Sequence, residues 1–439
     1  MGAWIRKVTK KFIIFERLNK IATLMIIQPF HKMLVASLLL VSFLSSCEKS
    51  SKVNDDGSID IVRNGKTAYS IVYNQETSKS ICDNLVLAFE DLTGASPKVV
   101  TDDSRNSKFE IIVGNTGRTE TAATLAKVGE NGYAITVDGS KVVIVGSNVV
   151  WTSLAIKQFE KRILRNPLFC KDNKLNISGD YSYIQSYDDP MLVARLVESG
   201  IEFTLNPTLV LNCPGDEGMV VAQGAASDGK HFYFLNRSTE DGQSIVYKYD
   251  MSSLSLVGKS KIFNAGHAND ATFDFGKNRF IAAHGHSEGK ILTPLNPETL
   301  QVLPNIDITV GSGAIAYSKG KGQFAISQGG KTLYVTDNDF NVLSSYTRTD
   351  NSPYLAQGMG CDDMYVYFPM SPRNGKTDNV LVTYDWAGNY IMDIHIPMSL
   401  ESESMFYSAG SYYVNFYPGS KKGAALYRVD PVYNYTYSK

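Results

Sequence analysis

The motifs that usually announce a reaction are mostly missing from these 439 residues. An HExxH zinc helix, a Walker P-loop, a GxGxxG dinucleotide run, an EF-hand loop and the Ser-x-Asp-x-Gly-x-x-Trp box of sialidases are all absent. Cysteine is scarce as well. Five occur, Cys47, Cys82, Cys170, Cys213 and Cys361, far apart and with no CxxC pair. That spacing excludes a disulfide framework and predicts buried thiols. Basic charge is not in excess: 43 Lys/Arg stand against 44 Asp/Glu. Seven of those bases and one acid lie in residues 1–46, so the remainder holds 36 bases against 43 acids, net −7. A mildly acidic body argues against nucleic acid as a partner. What is plentiful is glycine (35) and tyrosine (25), with only 20% charged residues. This balance favours a β-rich protein over a helical bundle or a disordered chain.

The longest apolar run, residues 33–45 (MLVASLLLVSFLS), is too short to span a bilayer as a helix. It follows His31-Lys32 and ends in Leu44-Ser45-Ser46-Cys47, which resembles the lipobox of bacterial lipoproteins. The resemblance implies cleavage before Cys47 and lipid on that cysteine, hence an envelope protein tied to the outer membrane by its lipid alone, on the periplasmic or the surface side. An ordinary secretory signal is the alternative. Residues 1–46 are then a signal peptide, with Met25 as a start that gives it normal length, and the polar residues 47–58 are a tether.

Two halves follow with different periods. Residues 59–182 alternate strand and helix. Strands are expected at 59–62, 68–72 and 109–113, and helices at 75–93, 119–128 and 149–163. A hairpin over 132–137 and 141–145 turns at Asp138-Gly139. This is the pattern of a small α/β domain. The strings Glu110-Ile-Ile-Val-Gly-Asn115 and Gly132-Tyr-Ala-Ile-Thr-Val, followed by Val142-Val-Ile-Val-Gly-Ser, resemble the non-catalytic N-terminal domain of family 20 β-hexosaminidases and family 67 α-glucuronidases. Since no catalytic barrel is expected after it, the resemblance implies a glycan setting and no glycosidase mechanism.

After an expected linker at 183–202 the chain repeats. Five segments end a third strand at Asp250, Asn296, Asp337, Asp385 and Asp430, with steps of 46, 41, 48 and 45 residues. Each carries an aromatic in its second strand: Phe232, Phe280, Phe324, Tyr365 and Tyr412. A period near 45 with four short strands per unit predicts an all-β five-bladed β-propeller over residues 203–439. Residues 203–211 (FTLNPTLVL) form a strand with no unit of their own. They are expected to supply the outer strand of the fifth blade and so close the ring.

A tighter series marks the first strands: Gln223, His267, Ser312, Gln357 and Glu403, with steps of 44, 45, 45 and 46. Small residues follow each, as crowding at an axis requires. These side chains should ring one mouth of the channel. Pairing residue 273 with 279 brings 267 opposite about 285, so His284 and His286 approach His267. As i and i+2 on a strand they share a face and could ligate a metal, although histidine in a surface turn is the plainer reading. Arg237 and Arg373 approach the same rim, as surface arginines or as ligands for acidic sugars. The run Gly266-His267-Ala268-Asn269-Asp270, with Gln223-Gly224 and Gln357-Gly358, resembles propellers of the helveticin and teichoic-acid-biosynthesis type. That resemblance adds Asn269 and Asp270 to the substrate-binding candidates.

Three functions fit. The first is capture or processing of a polysaccharide or oligosaccharide at the mouth, using Gln223, Arg237, Asn269, Asp270, Ser312, Gln357 and Arg373. The second is a glycoside hydrolase or polysaccharide lyase with Glu403 and His267 as acid and base. The third is a structural or protein-interaction propeller. No cofactor is expected.

Overall fold

Strand-forming segments of four to eight residues, each closed by a tight turn, dominate the computed structural model, and the chain is mostly β. The structure describes residues 52–216, 218–239, 242–285, 289–328, 331–349, 354–372 and 377–439. Among these residues no helix is long and apolar enough to cross a membrane. The contacts divide the chain into two units, one running to Ser186 and including Tyr435–Lys439, the other Tyr187–Asn434.

In the first unit a six-stranded sheet runs in the order Ser182–Ser186, Gly132–Asp138, Lys141–Gly146, Glu110–Val113, Ser70–Tyr73 and Lys98–Thr101. The last four strands are mutually parallel, and Glu110–Val113 and Lys141–Gly146 are buried along their whole length. Continuous apolar runs such as Ile-Ile-Val are what a strand covered on both faces needs. The helices Lys79–Thr93, Thr119–Val128 and Val149–Phe159 fall within the expected spans. Gly94 ends the first in the left-handed region, φ 72°, with its N–H on Glu90 O. Asn148 caps the third by accepting from the N–H groups of Val150 and Trp151. Strand Ile59–Val62 belongs to a separate small sheet, paired with Lys174–Ile177. The closing residues of the chain are part of this unit: Tyr435 Oη donates to Glu160 Oε2 (2.9 Å) and Tyr437 N to Asn84 Oδ1 (3.0 Å).

The second unit contains three antiparallel four-stranded sheets and one nine-stranded sheet, in which a parallel bridge, Thr204↔His395, joins a fourth and a fifth antiparallel set. Their first strands are Val221–Ser227, Asp270–Asp274, Ala314–Ser318, Gly360–Cys361 and Glu401–Ser408. They lie side by side in that order, and the fifth returns to the first. Apolar clusters fill the spaces between successive sheets, such as Tyr233, Leu235, Phe273 and Phe280 between the first and second. The arrangement is propeller-like. The fifth sheet is completed by Thr204–Cys213, which pairs antiparallel with Ala424–Val432 from Thr204↔Val432 to Cys213↔Ala424. This strand covers residues 204–211 of the segment expected to have no unit of its own.

Three details depart from expectation. The hairpin of the second sheet pairs Phe273 with Phe280, one residue beyond the expected register, because the turn spans Phe275 to Asn278 with Asn278 at φ 46°. The fourth sheet buries Tyr367 completely, with its hydroxyl on Asp362, and leaves Tyr365, the first residue of the same strand, half-exposed. The span 183–202 is not a bare linker. Ser182–Ser186 is an edge strand against Gly132–Asp138, and Leu192–Glu198 is a helix with Val193, Ala194, Leu196 and Val197 buried.

Candidate functional site

The first strands start at one end of the second unit's axis and finish at the other, and polar groups collect at both ends. At the starting end the backbones approach closely. A Cβ on Gly358 would lie 2.1 Å from Glu403 O, and one on Gly224 2.3 Å from Ala271 N. The small residues of the sequence series thus let strands pass at the axis. Asp270 ties them together. It is fully buried, and its carboxylate accepts from Ala271 N (2.8 Å), Ile315 N (3.0 Å) and Met359 N (3.1 Å), so one side chain holds three successive first strands. Burial pushes this carboxyl well above its ordinary range against those three hydrogen bonds. Asn269 works alongside it, donating to Gly313 O and Gln357 O, each at 2.5 Å. Both residues therefore spend their polar groups inside the protein.

The remaining expected ring residues divide in the same way. Gln223 is buried with Nε2 on Ala222 O (2.5 Å), and Ser312 is buried with Oγ on Ile291 O (3.3 Å). Gln357 Nε2 donates to Glu401 Oε1 at 2.6 Å. Arg237 is half-buried, with Nη1 on Ser238 O at 3.0 Å. His267 is half-exposed. His284 is buried, and its Nε2 meets Thr293 Oγ1 at 2.7 Å; that hydroxyl donates in turn to Asn305 Oδ1. His286, Arg373 and Cys47 lie outside the described residues. Among the described residues no cluster of His, Cys, Asp or Glu is arranged to hold a metal ion. Cys82, Cys170, Cys213 and Cys361 are unpaired thiols.

Glu403 stands apart from the others. It is 3% exposed, and the charged groups that act on its carboxyl are Glu401, Arg237 and Asp270. Burial, then the like charge of Glu401, raises its pKa well above the ordinary range. Arg237 opposes the shift and Asp270 adds to it. The buried acid of the first unit is different: Glu110 is held by Arg118 Nε (3.2 Å), Arg118 Nη2 (3.1 Å) and Lys141 Nζ (3.1 Å).

The finishing end, which sequence reasoning passed over, holds a cavity of ≈ 570 Å3. Every sheet contributes to its lining: Asp228, Phe275, Tyr317 to Gly320, Cys361 to Asp363, and Tyr407 to Gly410, with Asp189 and Met191 from the segment before the helix. Asp228 accepts from Lys230 N, His231 N, His231 Nδ1 and Tyr233 Oη at 2.7–2.9 Å. Asp362 accepts from Met364 N, Tyr365 N, Tyr367 Oη and Tyr412 Oη at 2.5–2.8 Å. The shared pattern is an Asp with Tyr five residues on, Asp228/Tyr233 and Asp362/Tyr367, a signal present in the sequence. The pKa values of the two carboxyls are shifted in opposite directions. Burial raises Asp362 despite its four partners, whereas at Asp228 the hydrogen bonds led by His231 outweigh burial and hold it below the ordinary range.

A GxSxG string, Gly285-His286-Ser287-Glu288-Gly289, corrects the sequence reading that none occurs, and its residues 286–288 lie outside the described residues. A nucleophile elbow needs a strand–turn–helix context. Here the flanking elements, Arg279–Ala283 and Ile291–Leu295, are antiparallel strands of one sheet.

No described protein family matches the chain, and no curated protein is similar to it. Solved structures give distant likenesses. The glutaminyl cyclase of Myxococcus xanthus aligns at 13% identity and TM-score 0.38, over 53% of this chain and 100% of that one. A tail fiber of Staphylococcus aureus phage P68 aligns at 14% and TM-score 0.41, over 52% of this chain and 53% of its own. A protein of unknown function from Bacteroides caccae aligns at 11% and TM-score 0.32, over 42% of this chain and 70% of that one. Likeness at this level carries no functional argument.

Proposed function

We propose that the second unit is a five-bladed β-propeller that binds a glycan at the end where its first strands begin. The observation that carries this is Glu403. A buried carboxyl beside a second carboxylate is costly, and such strongly perturbed acids gather at ligand sites. In its protonated form, which the raised pKa favours, it can donate a hydrogen bond, while Glu401 beside it accepts and Arg237 supplies positive charge. Donors and acceptors side by side suit a hydroxyl-rich ligand. The first unit is then a companion α/β domain, and Cys47 a lipid anchor at the outer membrane.

The raised pKa of Glu403 also favours the second reading, a glycoside hydrolase or lyase in which it is the general acid and His267 the base. Glu403→Gln and His267→Ala separate the readings in a screen on neutral and acidic polysaccharides for new reducing ends and unsaturated uronates, run beside affinity electrophoresis. Retention without product, weakened in Glu403→Gln, supports the binder. Product made by wild type and lost in both variants supports the enzyme. Neither retention nor product leaves a scaffold.

A further inference from the structure

We propose that the cavity at the finishing end is a separate subsite for a cationic sugar ring, a hexosamine with a free amino group. The proposal rests on the glycan reading above for the sugar, and on the lining for the charge. Four carboxyl groups (Asp189, Asp228, Asp362 and Asp363) face one cation, Lys319, whose Nζ lies over the Phe275 ring at 5.2 Å.

The four acids do not have equal room for a ligand. Asp228 and Asp362 already accept four hydrogen bonds each, two per oxygen, so they are anchors of the turns between first and second strands. At Asp363 both bonds, from Ser318 Oγ (2.6 Å) and Gly320 N (2.9 Å), fall on Oδ1. At Asp189 both partners, Tyr407 Oη and Met191 N, likewise use Oδ1. One oxygen on each carboxylate is therefore left as an acceptor, and each side chain is already fixed in place by its other oxygen. Preset carboxylate oxygens suit an ammonium group, which is all donor.

The rest of the lining suits a ring. Phe275, Tyr317 and Tyr407 line the cavity, the first two stacked on each other at 6.4 Å and 27°, and give it an apolar side that suits the C–H groups of a pyranose. An ammonium beside aromatic faces also gains from their quadrupoles. A volume of ≈ 570 Å3 lies within the usual range for small-ligand sites. A uronic acid would meet an excess of negative charge here, so acidic sugars are turned away from this end.

Isothermal titration of the full chain, purified in detergent, with the β-1,4-linked glucosamine tetramer and its N-acetylated counterpart tests this. Wild type should bind the free-amine tetramer at least tenfold more tightly. Asp363→Asn and Asp189→Asn keep an Oδ1 acceptor for their internal partners and remove the charge, so each should weaken binding about tenfold. Equal affinity for both tetramers, or indifference to both Asn variants, would overturn the proposal. Failure to bind either tetramer, with another glycan retained through Glu403, would overturn this subsite and leave the glycan reading standing. Benzylamine bound through Asp363, with no glycan bound at all, would overturn the sugar assignment and the glycan reading together.

Discussion

Replacing Glu403 by Gln should stabilise the protein while weakening its ligand site. Burial and the like charge of Glu401 raise the pKa of this carboxyl well above its ordinary range, so the folded protein loses stability relative to the unfolded chain as pH rises past the unfolded pKa. The folded pKa lies above the unfolded one, so the unfolded chain gives up its proton first. The penalty is absent below the unfolded pKa and grows as pH rises towards the folded value. Glutamine has nearly the same shape and no proton to lose. At pH 7 the variant should therefore be the more stable, with each kcal/mol gained raising Tm by about 2–4 °C for a unit of this size. At pH 4, where the unfolded glutamate is itself mostly protonated, the gain should nearly vanish. Scanning calorimetry of both proteins at the two pH values reads this directly. A lower Tm for Glu403→Gln at pH 7 would refute the reasoning, because it would reveal a partner that the carboxyl needs. A gain of equal size at pH 4 and pH 7 would refute it too, by removing ionisation from the account.

Other expectations concern the frame around the site. Asp270→Ala strips an acceptor from the buried N–H groups of Ile315 and Met359, so urea unfolding should show a loss of about 2–6 kcal/mol in the second unit. Gly358→Ala drives a Cβ against the Glu403 carbonyl and should cost about 1–3 kcal/mol, read as a fall in Tm. Tyr435→Phe removes a donor to buried Glu160 and should cost the first unit about 1.5–3 kcal/mol, measured by hydrogen exchange at its core amides. Burial raises Glu160, but Arg165, Lys157 and Tyr435 outweigh it and hold the carboxyl below its ordinary range. Stability from a depressed carboxylate is present above its unfolded pKa and lost as pH falls through the folded one. The Tyr435→Phe penalty should therefore shrink in acid.

The repeat was legible because it is written in turn chemistry. Asp250, Asn296, Asp337 and Asp385 each accept from backbone N–H groups two to four residues on, so each turn after a third strand selects the same residue type. Asp430 breaks the rule, pairing with Arg428 while its strand runs on to Val432, and there the outer strand arrives from residues 204–213. The steps through Gln223, His267, Ser312, Gln357 and Glu403 were legible as an axis, since backbone crowding demands small residues beside them. Which of these side chains faces inward and which stays unanswered depends on contacts between different sheets, such as Asp270 to Met359, and no local pattern carries those. Strand 98–101 was missed because its burial is only partial. The helix 192–198 and the return of residues 435–439 to the first unit were missed because both are settled by tertiary packing. The finishing-end cavity carried a signal, the Asp228/Tyr233 and Asp362/Tyr367 pairs, but attention to the starts of the first strands left it unread.

The central claim is that the buried Glu403 carboxyl exists to meet a glycan. The most direct measurement is affinity electrophoresis of wild type and Glu403→Gln through gels carrying neutral and acidic polysaccharides, with both proteins shown by calorimetry to be folded. The account predicts that wild type is retarded by at least one polysaccharide and that the variant, although more stable, runs measurably faster in the same gel. Equal retardation of both proteins, or none for wild type in any gel, would contradict it.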